Sequence, residues 1–314
     1  MVGDLFSPPP EELPDFKGLA DRLPPEILFG TSSWNYPGWK GLVYHQDYPK
    51  NGAAAKMLAE YVKFPLFRTI GIDSSFYAPP TPEQLQKYAQ RLPPGFPCVM
   101  KVWDRFTVHT LPRARYGPLG GELNPDFLNA DLFRSEVLDF YLAHFRDHTG
   151  PLVFEFQTIS RSSGISPEDF ADRLDRFLSV LPRDASYSVE IRNREFLTPA
   201  YLAVLREHNV AHVFNSWTRM PSIGDQLDVA GVFTAPFMVS RVLLRPGRSY
   251  NQAVNAFAPY DRIREPNPEL RHDVARLIAQ AAALRIPAYV LVNNRAEGSA
   301  PLTIAAIAEM VSGA

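Results

Sequence analysis

The chain has 314 residues, 46% of them hydrophobic, with 32 Lys and Arg against 34 Asp and Glu, a formal net charge of −2 and one cysteine, Cys98. That is enough apolar material for a large core. It excludes a global basic field for nucleic acid, an internal disulfide and a multi-cysteine zinc site. No apolar run approaches the ~20 residues of a membrane span, so the chain reads as soluble and cytoplasmic.

In chain order, residues 1–26 carry six prolines and read as a proline-rich N-terminal arm, extended on the domain or loose in solvent. Residues 27–314 read as one domain of alternating elements. The expected strands are 27–34, 67–77, 97–103, 152–158, 186–193, 211–217, 239–247 and 288–294. Each is rich in β-branched and aromatic residues and is bounded by Pro, Gly or polar turns. Helical patterns fall between them, at 53–64, 81–92, 130–148, 166–181, 198–209, 267–285 and 300–311. Thr81-Pro82 with Gln84, Ser166-Pro167 and Thr198-Pro199 are helix-start signals. A weaker helical pattern spans 218–238.

Eight strands alternating with helices predict an α/β protein with a closed (β/α)8 TIM-type barrel. The rival is a doubly wound open sheet. "GTSSWNYPGW" after the first strand lacks the Gly-rich phosphate fingerprint which that rival favours. Insertions follow strands 3 (104–129) and 7 (248–266), on the side where such barrels build their sites.

The stretch "SYSVEIRN" (186–193) sets the functional question. Val189 and Ile191 alternate with Glu190 and Arg192, so the charged pair points into the barrel. Other strands end alike, with Asp73, Lys101, Glu155 and Gln157, Asn215, Arg245, and Asn293 with Asn294. Burying such groups without partners costs kcal/mol amounts, so the ring predicts a wet, mutually paired pocket. The competing reading is a salt-bridge network that only closes the barrel top. Arginines in the adjoining loops favour an anionic ligand. Trp34 and Tyr77 are candidates for stacking on a ring.

Glu190 is the leading general acid or base, with Arg192 and Lys101 setting its charge. Asp73 or Glu155 would be the second carboxylate, and His109, in the loop after strand 3, a proton carrier. Thr31, Ser32, Trp34, Tyr77, Lys101, Gln157, Arg192, Asn215, Arg245 and Asn294 would hold the substrate, a small anionic or sugar-like and perhaps phosphorylated molecule. This reading needs neither metal nor cofactor. A second enzyme reading is a metal-dependent isomerase- or nuclease-like barrel, with Asp73, Glu155, Glu190 and His109 as ligands. A third is a non-catalytic protein that holds a metabolite, nucleotide or nucleic-acid end. Oligomeric state is open.

"FGTSSWNYPGWKGLVY" (29–44), "FRTIGIDSSFYAPPT" (67–81), "MKVWDRFTVHT" (100–110), "FEFQ" (154–157), "VEIRN" (189–193) and "VNN" (292–294) together resemble the YecE-like domain-of-unknown-function family. The resemblance implies a TIM-type barrel and no established activity. It supports Thr31, Ser32, Asp73, Tyr77, Lys101, His109, Gln157, Glu190, Arg192 and Asn294 as site residues. Strand 7 departs from the family pattern: it reads "LLRPG" in place of Arg-Leu-His-Gly, and Arg245 sits one position later than the family arginine.

Overall fold

Strands buried on both faces read as near-continuous apolar runs, and such runs pair in parallel. A computed structural model describes residues 13–49, 51–245 and 247–313 and contains eight of them. They are β1 (Ile27–Thr31), β2 (Ile70–Ile72), β3 (Cys98–Lys101), β4 (Thr149–Phe156), β5 (Tyr187–Ile191), β6 (Ala211–Asn215), β7 (Met238–Val242) and β8 (Ala288–Val292). All pair in parallel, in the order β1-β8-β7-β6-β5-β4-β3-β2. The ring nearly closes between β1 and β2. There the Phe29 carbonyl accepts from the backbone N–H groups of Arg68 (2.8 Å) and Thr69 (3.2 Å). The expected TIM-type barrel is therefore present, nearly closed at this seam.

The seam explains Gly30. A Cβ at Gly30 would collide with the Thr69 backbone carbonyl, which no side-chain rotation can relieve. Gly30→Ala should therefore push β1 off β2 and cost about 1–3 kcal/mol or more. Urea unfolding of the variant measures it, and a change within experimental error would show that the seam has slack.

Helices separate the strands, several of them begun by chemistry visible in the sequence. Thr81 accepts from the Gln84 N–H at 3.2 Å and Ser166 from the Asp169 N–H at 3.0 Å. Ser166 and Asp169 form a reciprocal capping box. Gln84 does not complete one with Thr81; its side chain donates to the Tyr88 hydroxyl at 2.8 Å instead. The pattern at 130–148 is not one continuous helix: a π-turn (Arg134–Leu138) separates Ala130–Phe133 from Asp139–His144. In 218–238 only Ile223–Leu227 is α-helical. No helix among the described residues is long and apolar enough to cross a membrane.

Residues 1–12 lie outside the described residues, but the rest of the expected arm is not extended. Phe16–Arg22 is a helix that packs against the helix Ala300–Ser312. Leu19 and Leu23 are buried, and the Phe16 ring meets Phe64 at 4.8 Å. Arg68 donates to the Ala20 (2.8 Å) and Pro24 (2.7 Å) carbonyls. A guanidinium thus satisfies carbonyls that a helix end leaves open.

Two layers fill the barrel. Val99, Val153, Val213, Val239 and Leu291 form an apolar plug. Two residues further along the same strands stand Lys101, Glu155, Asn215, Arg241 and Asn293. Because side chains alternate with period 2, this second layer also faces inward, toward the C-terminal mouth.

Candidate functional site

The register sets Glu155 of β4 directly opposite Glu190 of β5. Like charges so placed repel, and both side chains are buried, at 1% and 0% exposure. Two arginines bridge them. Arg241, itself 1% exposed, donates through Nη1 to Glu155 (2.9 Å) and to Glu190, and through Nη2 to Asp73 (2.7 Å). Arg192 Nη2 reaches Glu155 at 2.8 Å and Glu190 at 3.1 Å. Lys101 Nζ sits 2.5 Å from Glu155 and 3.6 Å from Asp73. Three cations and three carboxylates therefore balance within one network. The Arg192 guanidinium also lies 3.8 Å from the Trp217 ring centre, a cation–π contact.

Burial alone would raise the Glu155 carboxyl, but the charges of Arg192, Lys101 and Arg241 outweigh it and hold the group well below the usual carboxylate range. The three cations thus favour the charged form of Glu155. Asp73 differs. It opens a 3₁₀ turn (Asp73–Phe76), its side chain is 26% exposed, and only Oδ2 is engaged by Arg241 and Lys101 among the described residues. Its other oxygen is available to a ligand.

Above the network is a cavity of about 330 Å³, at the lower end of small-molecule sites. Ser32, Asp73, Lys101, Glu155, Gln157, Arg192, Arg241, Asn293 and Arg295 supply its polar lining, and Tyr36, Phe76, Tyr77, Trp217 and Tyr250 its rings. Ser32 Oγ is buried and has no partner among the described residues. Burial, with the nearby charge of Asp73, pushes the Tyr36 hydroxyl up to about 12 against the opposing pull of Arg295, so it stays a neutral donor. Arg295 makes no ion pair among the described residues; its guanidinium stacks 4.4 Å from the Tyr250 ring centre. With the network neutral, Arg295 gives the mouth its excess positive charge.

The structure brings together seven of the residues expected from sequence: Ser32, Asp73, Tyr77, Lys101, Glu155, Gln157 and Arg192 all line the cavity. Tyr77 is a 65% exposed rim group. Gln157 Nε2 donates to Glu155 Oε1 at 2.5 Å. Glu190 faces inward as expected and belongs to the network, fully buried, with each oxygen taken by an arginine. It does not line the cavity, whereas Asp73 does.

Six expected residues lie elsewhere. Thr31 points outward; its Oγ1 donates to the Ser33 carbonyl (2.7 Å) and lies 3.1 Å from the Tyr61 hydroxyl. Trp34 is core, donating to the Ala54 carbonyl at 2.7 Å and meeting Tyr88 edge-on. His109 packs against Phe127, where burial and the charge of Arg173 depress its pKa. Asn215 spends its amide on the Ile191 and Val213 carbonyls. Asn294 Oδ1 accepts from Trp39 Nε1 (3.1 Å) and the Ala300 N–H (2.8 Å), tying a loop to a helix start. Arg245 is 43% exposed and stands 3.5 Å from Glu265, in a separate surface depression.

Sequence reasoning missed Arg241, the centre of the network. Its signal was parity, because Arg241 follows Val239 by two residues in the same strand. Asn293, and not its neighbour Asn294, has inward parity with Leu291. Among the described residues no group of three or more His, Cys, Asp or Glu is placed to hold a metal ion. The carboxylates of the metal-dependent reading converge on Arg241 instead, and His109 is not among the cavity-lining residues.

The family model described as "Protein of unknown function DUF72" matches residues 28–314. The chain belongs to the DUF72 family. This is the YecE-like family that its motifs resemble. Among solved structures, the DUF72 barrel is similar to a DUF72 family protein from Enterococcus faecalis V583. The TM-score is 0.61 at 16% identity, over 91% of this chain and 95% of that one. A DUF72 family protein from Thermotoga maritima MSB8 gives a TM-score of 0.57 at 16% identity, over 89% and 96%. At such identities the likeness shows the DUF72 fold alone. No curated protein matches the sequence.

Proposed function

We propose that the barrel mouth binds a small sugar-like molecule carrying an anionic group and acts on it by carboxylate chemistry. Asp73 is the acid or base and Arg295 the anion's partner. The supporting observation is Asp73 itself: a carboxylate with one oxygen committed to Arg241 and Lys101 and the other open to a ring-lined cavity. Lys101 beside it is positioned to steady negative charge that develops on a substrate oxygen. Ser32 Oγ and the Tyr36 hydroxyl can bond sugar hydroxyls, and Tyr77, Trp217 and Tyr250 offer faces for a sugar ring.

Thermal-shift titration with ribose 5-phosphate, glucose 6-phosphate and glucose tests this reading. The phosphorylated sugars should raise the melting temperature more than glucose. Arg295→Ala should lose that preference, with a ten- to hundred-fold drop in affinity, the scale of about 1.5–3 kcal/mol for a charge-assisted bond. Asp73→Asn should keep the affinity and lose about 10²–10⁴-fold in turnover. A protein that only holds the molecule would bind it in both forms and convert none. If phosphorylated and neutral sugars shift the wild type alike, the anion partner is misassigned.

A further inference from the structure

Beside the mouth runs a second, wider groove of about 840 Å³, walled by the segments that follow β4, β5 and β6. It carries Arg161, Arg194 and Arg219, and it shares Arg192 with the mouth cavity. Glu195 is the only carboxylate in its lining. Arg161, Arg194 and Arg219 are exposed and make no ion pair among the described residues. The chain as a whole carries a net charge of −2, so this cluster does not follow from a basic composition.

The groove's other polar groups are largely occupied, and its walls are pinned. Asn193 Oδ1 accepts from the Ile159 N–H (2.8 Å) and Asn193 Nδ2 donates to the Ile159 carbonyl (3.0 Å), stapling the β4 and β5 segments together. Asn193 Nδ2 also holds Glu195 at 3.1 Å. Thr218 Oγ1 accepts from the Gly247 N–H at 3.1 Å. What the groove leaves free for a ligand is chiefly guanidinium.

We propose that this groove is a subsite for a linear polyphosphate-type segment. The mouth and the groove, joined at Arg192, would then accept one bipartite substrate: a polar head over Asp73 and a phosphate chain along Arg161, Arg194 and Arg219. The bipartite part rests on the reading of the mouth given above; the groove itself does not. Guanidinium pairs two-pronged with phosphate oxygens. Three unpaired guanidiniums along one groove match the several charges of a di- or triphosphate, whereas a single carboxylate leaves most of them unsatisfied.

Calorimetric titration at fixed ionic strength, with orthophosphate, pyrophosphate, tripolyphosphate and sulfate, provides the test. Affinity should rise from orthophosphate to tripolyphosphate. Arg161→Ala combined with Arg194→Ala should weaken tripolyphosphate at least ten-fold, with the melting temperature unchanged because both side chains are exposed. Arg295→Ala should weaken tripolyphosphate less than the paired groove change does. No binding of tripolyphosphate, or binding that sulfate matches, overturns the proposal. So does binding that Arg295→Ala removes and the groove variants do not. If sugar phosphates fail at the mouth while tripolyphosphate binds through the groove arginines, only the reading of the mouth falls. The reverse pattern removes the groove alone.

Discussion

Arg241→Met should lower the stability of the fold by about 3–5 kcal/mol, the cost of removing one partner from a buried ion pair. The reason lies with the groups left behind. Glu155 and Glu190 face each other across a strand pair at 1% and 0% exposure, and Asp73 would lose its only hydrogen bond to a guanidinium. Lys101 and Arg192 would remain for three carboxylates. Arg241→Lys should recover only part, because one ammonium cannot span three carboxylates that a planar fork reaches. Urea denaturation measures both variants. Combining Arg241→Met with Glu190→Gln should cost less than the sum of the single changes, the mark of groups sharing one network. A loss below 1 kcal/mol for Arg241→Met would mean that the carboxylates do not depend on it.

Glu155→Gln should be of similar size, about 3–5 kcal/mol, and should also alter the response to acid. Glu155 touches Lys101, Arg192 and Arg241 at 2.5, 2.8 and 2.9 Å. Its pKa is depressed in the fold from an ordinary value of 4.5. A depressed carboxylate contributes stability that is fully present above its unfolded value and is lost as pH falls toward its folded one. The gap between wild type and Glu155→Gln should therefore be flat from pH 7 to about pH 5.5 and narrow progressively below 4.5. Unfolding curves taken across that range read the gap directly. A gap that stays constant into acid would mean that Glu155 gains nothing from its three cations.

The fold was legible because parallel strands covered on both faces leave unmistakable runs, and because Thr-Pro and Ser-Pro starts mark helices. The site was legible only to the level of side-chain parity. Inward parity correctly separates Glu155, Gln157, Glu190 and Arg192 from their neighbours. It does not report depth: Glu190 and Asp73 look equivalent in sequence, yet one is fully buried against two arginines and the other meets the cavity. Strand ends were the weaker point. The apolar run "VSRVLLRPG" drew β7 out to residue 247, which set Arg245 at the mouth, whereas the strand stops at Val242 and the inward arginine is Arg241. At the end of β8 a one-residue ambiguity exchanged Asn294 for Asn293. Thr31 and Trp34 sit beside inward residues, but their polar groups are spent on backbone and on Tyr61.

The weak seam between β1 and β2 has a consequence for synthesis. β1 is held along its length not by β2, its neighbour in the chain, but by β8, with Ile27 beside Ala288 and Thr31 beside Val292. The helix Phe16–Arg22 likewise leans on Ala300–Ser312. On the ribosome the first strand therefore emerges with no full partner and must wait for nearly the last residues made. Contacts so distant in sequence are slow to form, and an unpaired apolar strand is a template for intermolecular pairing. A nascent chain arrested before residue 288 would hold seven strands with two raw edges, β1 and β7, both waiting for β8.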